Sequence, residues 1–269
     1  QKEAKGRLPL FIAIDEEGGM VSRMKEELPP PPSPPEIAAT GDLEYARKEA
    51  ENTAQKLREL GFNVNFAPVA DIGLQNRSFG NDKDTVTNFL RATTAGFEKG
   101  NLLYSLKHFP GIGKGKIDTH VEMSVVTASK EALMNDDVIP FKTLIEENNG
   151  KDFFIMVSHV DYPALDQKYP ASLSRAIQTE LLRQKLGYDG LIITDDLEMG
   201  AITERYGFKE SAVLAVEAGA DVVLICHEYP HETEGYLAIL EAVKSGRIPE
   251  SRIDESVLRI IKAKLRHLT

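Results

Sequence analysis

Disulfide chemistry is lacking in this sequence, because its 269 residues include a single cysteine, Cys226. One cysteine excludes an intrachain disulfide and any site built on a CxxC motif. Tryptophan is absent as well. No apolar run approaches the roughly 20 residues that a membrane-spanning helix needs, and the first residues, QKEAKGR, do not resemble a secretory signal. A lone cysteine fits a reducing compartment and equally fits secreted bacterial enzymes without disulfides, so the sequence assigns no compartment.

Excess positive charge is also lacking, since the formal net charge is −10 at pH 7. This charge disfavours nucleic acid and anionic membranes as general partners. Neither GxGxxG nor GxxxxGK[ST] occurs in the chain, which disfavours a nucleotide site.

Short apolar runs rich in Ile, Val and Phe are present, and they are typical of strands buried on both faces of a parallel sheet. The six runs are 8–17, 62–71, 102–109, 153–159, 190–196 and 221–227. Helical patterns alternate with them and follow the last one, at 43–60, 84–99, 175–186, 233–245 and 251–267. This alternation predicts a parallel α/β fold.

Titratable side chains follow most of the predicted strands. They are Asp15, Asp71, Lys107, His108, His159, Asp195 and His227. Because many strands contribute, rather than two at a switch point, we predict a (β/α)8 TIM-type barrel. Six runs fall short of eight, so we expect residues 1–269 to form a single catalytic domain that lacks its first two strand–helix units. The segment 27–42, ELPPPPSPPEIAATGD, is then a stiff polyproline excursion within that domain.

Two motifs indicate catalysis. Asp195 and Asp196 directly follow a buried strand, where they fit either a helix cap paired with a cation or a carboxylate nucleophile on a rigid support. In DTH (118–120), an extended backbone points Asp118 and His120 the same way. Asp118 can then hold one ring nitrogen of His120, which leaves the other free to donate a proton. The alternative for this Gly- and Lys-rich stretch is a solvated surface loop.

Two further stretches fit either sugar binding or, each taken alone, a structural or solvated role. In IDEEGGMVSR (14–23), two glycines predict a close approach of the backbone to another group. Asp15 and Arg23 in this stretch, and Arg77 in NRSFG (76–80), can form charge-assisted hydrogen bonds with hydroxyl groups.

The ordered set IDEEGG, APVADI, NRSFG, KHFPG, DTH and TDDLEM resembles glycoside hydrolase family 3, and in particular its β-N-acetylglucosaminidase branch. The resemblance runs from about residue 8 to residue 265. It implies a retaining exo-glycosidase that releases terminal β-linked N-acetylglucosamine from peptidoglycan-derived muropeptides. It also implies that Asp195 is the nucleophile of a covalent glycosyl-enzyme intermediate and that His120, held by Asp118, is the general acid/base.

The same resemblance implies the residues that bind the sugar, and these are Asp15, Arg23, Arg77, Lys107 and His108, with His159 lining the pocket. It implies no metal and no organic cofactor, and a small carbohydrate as the partner. The sequence departs from the family at Met20, where Arg is frequent, and at Ile112, where His is frequent.

Three alternatives stay open at this point. A neutral imidazole does not repel phosphate as a carboxylate does, so a β-N-acetylglucosaminide phosphorylase is one alternative. A family 3 β-glucosidase is another, although such enzymes usually take their acid/base from a further domain and DTH argues against it. The third is a barrel that binds sugar without turnover.

Overall fold

A computed structural model describes residues 8–113, 124–150 and 153–268 of the protein. Its central element is a parallel sheet that curls into a half-barrel, with strand order β1-β4-β5-β6-β7. These strands are β1 (Ala13–Ile14), β4 (Val64–Asn65), β5 (Leu103–Phe109), β6 (Phe154–Val157) and β7 (Leu191–Thr194). The predicted α/β fold with a parallel sheet is thus confirmed.

The sixth predicted strand is represented by one pairing only, a parallel bridge between Val222 and Ile193. Segment 221–227 therefore extends the sheet beyond β7 without forming a regular strand. A small antiparallel hairpin that was not predicted follows β1, and it consists of β2 (Glu16–Gly18) and β3 (Val21–Ser22).

Helices cover the sheet and follow most of its strands. They are α1 (Pro34–Ala39), α2 (Leu43–Glu59), α3 (Lys83–Lys99), α4 (Lys130–Asn135), α5 (Ile139–Glu147), α6 (Gly200–Tyr206), α7 (Phe208–Ala218), α8 (Tyr229–Lys244) and α9 (Glu250–His267), with a π-helix at Ala176–Lys185. The predicted helices at 43–60 and 84–99 are confirmed as α2 and α3. In the described part of the chain, no helix combines the length and the apolar character needed to cross a bilayer.

The sequence predicted a stiff polyproline excursion over residues 27–42. In the structure, part of this segment is helical instead. Helix α1 begins within it because Ser33 and Glu36 form a capping box, in which each side chain accepts a hydrogen bond from the backbone amide of the other. Pro34 occupies the first helical position, where its missing N–H is not needed.

Both faces of the sheet are buried, which explains the nearly continuous apolar runs. One face packs on the covering helices through side chains such as Tyr104, Leu106 and Ile155. The other face forms a second cluster with Ile260 and Ala263 of α9. Its strand residues are Val64, Leu103, Phe154, Met156, Leu191 and Ile193.

Candidate active site

The carboxyl ends of the strands carry most of the predicted site residues. All five strands run in the same direction, so these ends meet at one edge of the sheet. The predicted residues at this edge are Asp15, Lys107, His108, His159 and Asp195. Arg77 reaches the same edge from a short 3₁₀ helix, Gln75–Arg77, that lies between β4 and α3.

A buried ammonium group links β5 to the segment after β1. Lys107 is only 3% exposed, and its Nζ lies 2.6 Å from Asp15 Oδ1 and 2.7 Å from Glu17 Oε1. Glu17 also accepts two hydrogen bonds from the Arg77 guanidinium, at 2.9 and 2.7 Å. The result is a chain of ion pairs, Asp15–Lys107–Glu17–Arg77, which we call the charged chain. Its outer members, Asp15 and Arg77, are about a third exposed and can meet a ligand.

Glu17 is a candidate site residue that the sequence analysis did not identify. Its burial favours a raised pKa, but hydrogen bonds and charges from Arg77 and Lys107 outweigh burial and lower the pKa from 4.5 to about 2. Glu17 is therefore an anion at neutral pH and acts as a counter-ion rather than a proton donor. The signal was present in IDEEGG, because residues two apart in an extended segment share a face and Glu17 is two residues from Asp15.

His108 is fixed by partners on both ring nitrogens. Its Nδ1 lies 2.7 Å from Asp71 Oδ2, and its Nε2 lies 3.4 Å from Arg77 Nη2. The Asp71 carboxylate can only accept, so Nδ1 donates to Oδ2. The peptide bond between Lys107 and His108 is cis.

Asp71, which follows β4, organises the entrance to the Gly-rich loop. Besides His108, it accepts a hydrogen bond from the backbone amide of Ile112 at 2.8 Å. Gly113 lies so close to Ile72 that an added Cβ would be 1.7 Å from the Ile72 carbonyl oxygen, which explains why a glycine stands there. Asp71 was recognised in the sequence as a strand-end carboxylate, but its role as the partner of His108 was not predicted.

The turn that presents Arg77 is held from the following residues. Ser78 Oγ donates a hydrogen bond to the Asp71 carbonyl oxygen at 2.6 Å. Phe79 is buried and stacks on Phe89 of α3 with ring centroids 5.6 Å apart. These contacts position the guanidinium between Glu17 and His108.

The two glycines of the EGG turn lie close to another group, as predicted, and the structure shows that this group is the backbone of the proline-rich segment. Gly19 N–H donates to the Pro31 carbonyl oxygen at 2.9 Å. Gly18 has φ +94°, and a Cβ there would lie 2.3 Å from the Pro32 carbonyl oxygen. The prolines therefore support the segment that carries Asp15 and Glu17.

Arg23 lies at the end of this turn and differs from the other predicted binding residues. Its backbone amide donates to Glu16 Oε2 at 2.8 Å, which anchors the main chain. The residue is exposed, and its guanidinium has no hydrogen bond or ion pair with the described residues. It can therefore turn toward a ligand without breaking a contact in the described part of the protein.

The two aspartates after β7 have different surroundings. Asp196 is 6% exposed, and its Oδ1 accepts the amide of Glu198 at 3.2 Å in the turn before α6. Asp195 is only partly buried, and its Oδ1 accepts the Asp196 amide at 2.9 Å. Neither aspartate caps the following helix, because α6 has Met199 at its N-cap and no side-chain cap hydrogen bond. Asp196 Oδ2 instead lies 2.7 Å from His227 Nδ1. The use of Asp195 as a nucleophile stays a prediction.

His159 holds the segment that carries these aspartates. Its Nε2 lies 2.8 Å from the carbonyl oxygen of Asp196, and its Nδ1 lies 2.7 Å from Ser172 Oγ. A carbonyl only accepts, so Nε2 carries the proton and Nδ1 accepts from the Ser172 hydroxyl. Burial lowers the pKa of His159 more than the charges of Asp195 and Asp196 raise it. Both ring nitrogens of the neutral imidazole are thus engaged within the protein, a role that the sequence did not reveal.

Asp195 carries the charge that a nucleophile needs. Burial favours a raised pKa for this carboxyl, but His108, His159, the Asp196 amide and Lys107 outweigh it and lower the pKa below its ordinary value of 3.8. Asp195 is therefore ionised at neutral pH.

The other two predicted catalytic residues, Asp118 and His120, lie outside the described residues. Their roles stay predictions from the sequence.

Comparisons with known proteins agree with this fold. The family model described as "Glycosyl hydrolase family 3 N terminal domain" matches residues 1–263. The chain is 37% identical to beta-hexosaminidase LpqI of Mycobacterium tuberculosis, and the alignment covers 96% of this chain and 69% of that protein. It is 33% identical to beta-hexosaminidase A of Pseudoalteromonas piscicida, with 98% of this chain and 48% of that protein covered.

A solved structure is similar over nearly the whole chain. The glycoside hydrolase family 3 beta-N-acetylglucosaminidase from Paenibacillus sp. superimposes with a TM-score of 0.92 and 39% identity, and the match covers 98% of this chain and 51% of that one. The chain thus spans about half the length of this enzyme and of beta-hexosaminidase A. It belongs to glycosyl hydrolase family 3, and its relatives support the predicted β-N-acetylglucosaminidase branch and enzyme class.

Proposed function

We propose that the protein is a retaining exo-β-N-acetylhexosaminidase, with one catalytic domain, that releases terminal β-linked N-acetylglucosamine. The observation that carries this proposal is Asp195, an ionised and partly exposed carboxylate at the end of β7 beside the charged chain. The names of the relatives support the sugar class, because several of them are beta-hexosaminidases.

The first step forms a covalent intermediate. A carboxylate oxygen of Asp195 attacks the anomeric carbon while the bond from that carbon to the aglycone oxygen breaks. The leaving oxygen takes a proton from His120, whose imidazolium is stabilised by Asp118. In the second step His120 takes a proton from water, and the resulting hydroxide displaces Asp195 with overall retention of configuration.

A histidine as acid/base fits the charges of the described carboxylates near Asp195. Glu17, with a pKa of about 2, cannot supply a proton at neutral pH. Asp15 is paired with Lys107 at 2.6 Å. Asp71 accepts hydrogen bonds from His108 and from the Ile112 amide. Glu17 therefore serves as an anion, Asp15 and Asp71 are engaged by these partners, and the proposed proton donor is another group.

The sugar hydroxyls are assigned to the exposed ends of the charged chain. Asp15 accepts hydrogen bonds from hydroxyl groups, and Arg77 and Arg23 donate to hydroxyl or acyl oxygens. Lys107 and His108 fix these groups from beneath, and His159 fixes the segment of the nucleophile. Pre-placed groups of this kind lower the cost of ordering the site when the sugar binds.

Asp195→Asn tests the proposal by removing the nucleophilic charge with little change in shape. We expect release of chromophore from an aryl β-N-acetylglucosaminide to fall by about 10⁴-fold or more, as it does when a covalent nucleophile is lost. Asp84→Asn, an exposed aspartate of α3, is the matched control and should retain full activity. Equal turnover by wild type and Asp195→Asn, with both proteins folded, would exclude Asp195 as the nucleophile.

The covalent intermediate is tested separately. An activated fluorosugar of N-acetylglucosamine that glycosylates quickly and hydrolyses slowly should add one sugar mass to the protein, and peptide mapping should place it on Asp195. Inversion of configuration at the anomeric carbon, followed by NMR, would contradict the two-step mechanism.

The natural substrate is proposed to be a muropeptide from peptidoglycan, on the sequence resemblance alone. Phosphorolysis is a second candidate activity, and one similarity favours it. A beta-glucoside phosphorylase superimposes on 99% of this chain with a TM-score of 0.88 and 29% identity. Turnover in millimolar phosphate decides between them, because a phosphorylase yields the sugar 1-phosphate and a hydrolase yields the free sugar.

A further inference from the structure

A second group of reactive side chains lies at the same edge of the sheet, beyond Asp195. It consists of Asp196, Cys226 and His227, and each offers one ligand atom within 4.8 Å of the other two. We call this group the rim triad. Asp196 is buried, whereas Cys226 and His227 are exposed at the end of segment 221–227. The proposed glycosidase mechanism uses none of the three as a reacting group.

The rim triad is held in place by Glu198. The Glu198 carboxylate accepts the backbone amides of Cys226 and Glu228, each at 3.0 Å, and that of His227. Since Glu198 is two residues after Asp196, it fixes the turn that carries the thiol and the imidazole relative to the Asp196 carboxylate. Prior positioning of ligands by neighbouring hydrogen bonds is a feature of built metal sites.

One atom of the triad lacks a hydrogen bond that its burial requires. Asp196 Oδ2 is buried and accepts no hydrogen bond from the described residues. Its neighbour is His227, whose Nδ1 lies 2.7 Å away in an ion pair rather than in an aligned hydrogen bond. The carboxylate oxygen and the imidazole nitrogen are therefore already adjacent, and a cation bound by both would supply the interaction that the buried oxygen lacks.

We propose that Asp196, Cys226 and His227 bind a thiophilic divalent metal ion of the Zn²⁺ class. Thiolate, imidazole and carboxylate together form a donor set that suits Zn²⁺ and Co²⁺ better than Mg²⁺ or Ca²⁺. Three protein ligands leave the fourth tetrahedral position to water. When the metal–sulfur bond forms, the S–H bond of Cys226 breaks and its proton passes to the buffer.

The position of this site predicts inhibition rather than catalysis. Asp196 adjoins the proposed nucleophile, so a dication held by Asp196 would lower the negative potential that Asp195 uses for attack. Metal binding itself does not depend on the proposed glycosidase activity, and it can be measured without a substrate.

Co²⁺ is the probe, because a cobalt–thiolate bond produces a charge-transfer band in the near ultraviolet and tetrahedral Co²⁺ absorbs in the visible. We expect the reduced, metal-free protein to bind one Co²⁺ with both features and to release it when Zn²⁺ is added. Cys226→Ser should abolish the charge-transfer band, and His227→Asn should keep the band but weaken affinity by at least about tenfold. Both residues are exposed, so thermal melts should show that the variants fold.

His231→Asn is the matched control, since His231 also contacts Glu198 but is not in the rim triad. It should bind Co²⁺ with the wild-type affinity and spectrum. A folded wild type without the charge-transfer band at saturating Co²⁺ would overturn the proposal. Affinity unchanged in both Cys226→Ser and His227→Asn would also overturn it, by placing the metal elsewhere.

The inhibition is measured as the activity of each protein with Zn²⁺ relative to its own activity without metal. We expect the Zn²⁺ concentration for half-inhibition to rise at least about tenfold in Cys226→Ser and in His227→Asn. No inhibition of a wild type that shows the cobalt spectrum would reject the inhibitory role and leave the metal site. No turnover without metal by the wild type or by any variant would instead reject the proposed glycosidase function.

Discussion

The two sides of the candidate active site are held together by different interactions. On the side of β1 and β5, the charged chain crosses the edge through buried ion pairs, with Lys107 between Asp15 and Glu17. On the side of β6 and β7, the corresponding support is neutral, with His159 between the Ser172 hydroxyl and the Asp196 carbonyl oxygen. The first side carries the charges proposed to meet a ligand, whereas the second holds Asp195, the proposed nucleophile, through a neutral imidazole.

This difference has an energetic consequence. A buried ion pair that loses one member leaves an uncompensated charge, which is more costly than an unpaired neutral group. The charged side should therefore be the more sensitive to substitution and to acid. Substitutions on the neutral side should lower the free energy of unfolding less, and their main effect should be on the position of Asp195.

Removal of the central cation should have the largest effect on stability. Lys107→Met leaves Glu17 with Arg77 alone and leaves Asp15 without its partner, so we expect the free energy of unfolding to fall by about 4 kcal/mol. Denaturation in urea measures this change. Lys142→Met is the control, because Lys142 forms an exposed pair with Glu146 at 3.7 Å and should contribute no more than about 0.5 kcal/mol.

A double variant separates charge from packing in this prediction. If the loss in Lys107→Met comes from the unpaired carboxylates, adding Glu17→Gln should recover part of it, and the two changes should not be additive. Strict additivity, or a loss below about 1 kcal/mol for Lys107→Met, would show that the charged chain is not a stabilising unit.

Acid should weaken the charged side next. The unfolded chain binds a proton at Glu17 near pH 4.5, whereas the folded protein does so only near pH 2. Stability from Glu17 is therefore fully present above about pH 4.5 and is lost as the pH falls toward 2. At about 1.4 kcal/mol per pKa unit, the total is on the order of 3 kcal/mol.

The measurement is the free energy of unfolding from neutral pH down to about pH 3.5, in wild type and in Glu17→Gln. By that pH the wild type should have lost about 1.4 kcal/mol relative to the variant. Parallel curves for the two proteins would mean that Glu17 is not held as an anion in the folded state.

The sequence predicted those parts of the fold that are recorded in local residue patterns. Apolar runs and helical periodicity located β5, β6, β7, α2 and α3, because burial on both faces and the 3.6-residue repeat leave a direct record in the residues. Segment 221–227 has the same apolar pattern but forms one β-bridge only, between Val222 and Ile193. Regular strand pairing depends on the neighbouring strand as well as on the segment's own residues. Helix α1 was missed because four prolines in a row conceal the Ser33–Glu36 capping box.

The sequence predicted which residues form the site better than it predicted the contacts between their side chains. Asp15, Lys107 and Asp195 follow from their motifs at strand ends. The bridge from Lys107 to Glu17 and the contact of His159 with Ser172 join residues that are distant in the sequence or that carry no motif. Such contacts are products of the tertiary structure, so local patterns do not specify them.

The neutral side should respond most mildly. Ser172→Ala removes the hydroxyl that donates to His159 Nδ1, inside a fully buried environment, and we expect a loss of about 1–2 kcal/mol in unfolding free energy. Ser105→Ala is the matched control. Ser105 is equally buried, but its hydroxyl has no hydrogen-bond partner among the described residues, so its removal should be neutral or stabilising.

The functional effect of Ser172→Ala should be visible in the imidazole itself. Without the serine hydroxyl, no described residue donates a hydrogen bond to His159 Nδ1. The ring proton can then move from Nε2 to Nδ1, and the hydrogen bond to the Asp196 carbonyl oxygen is lost. Nitrogen-15 NMR of the ring reports the tautomer, and kcat should fall severalfold while KM changes little, because Asp195 and not the sugar-binding residues loses its support. An unchanged tautomer with unchanged kcat would mean that the backbone alone holds Asp195, and that the neutral side of the site is packing rather than positioning.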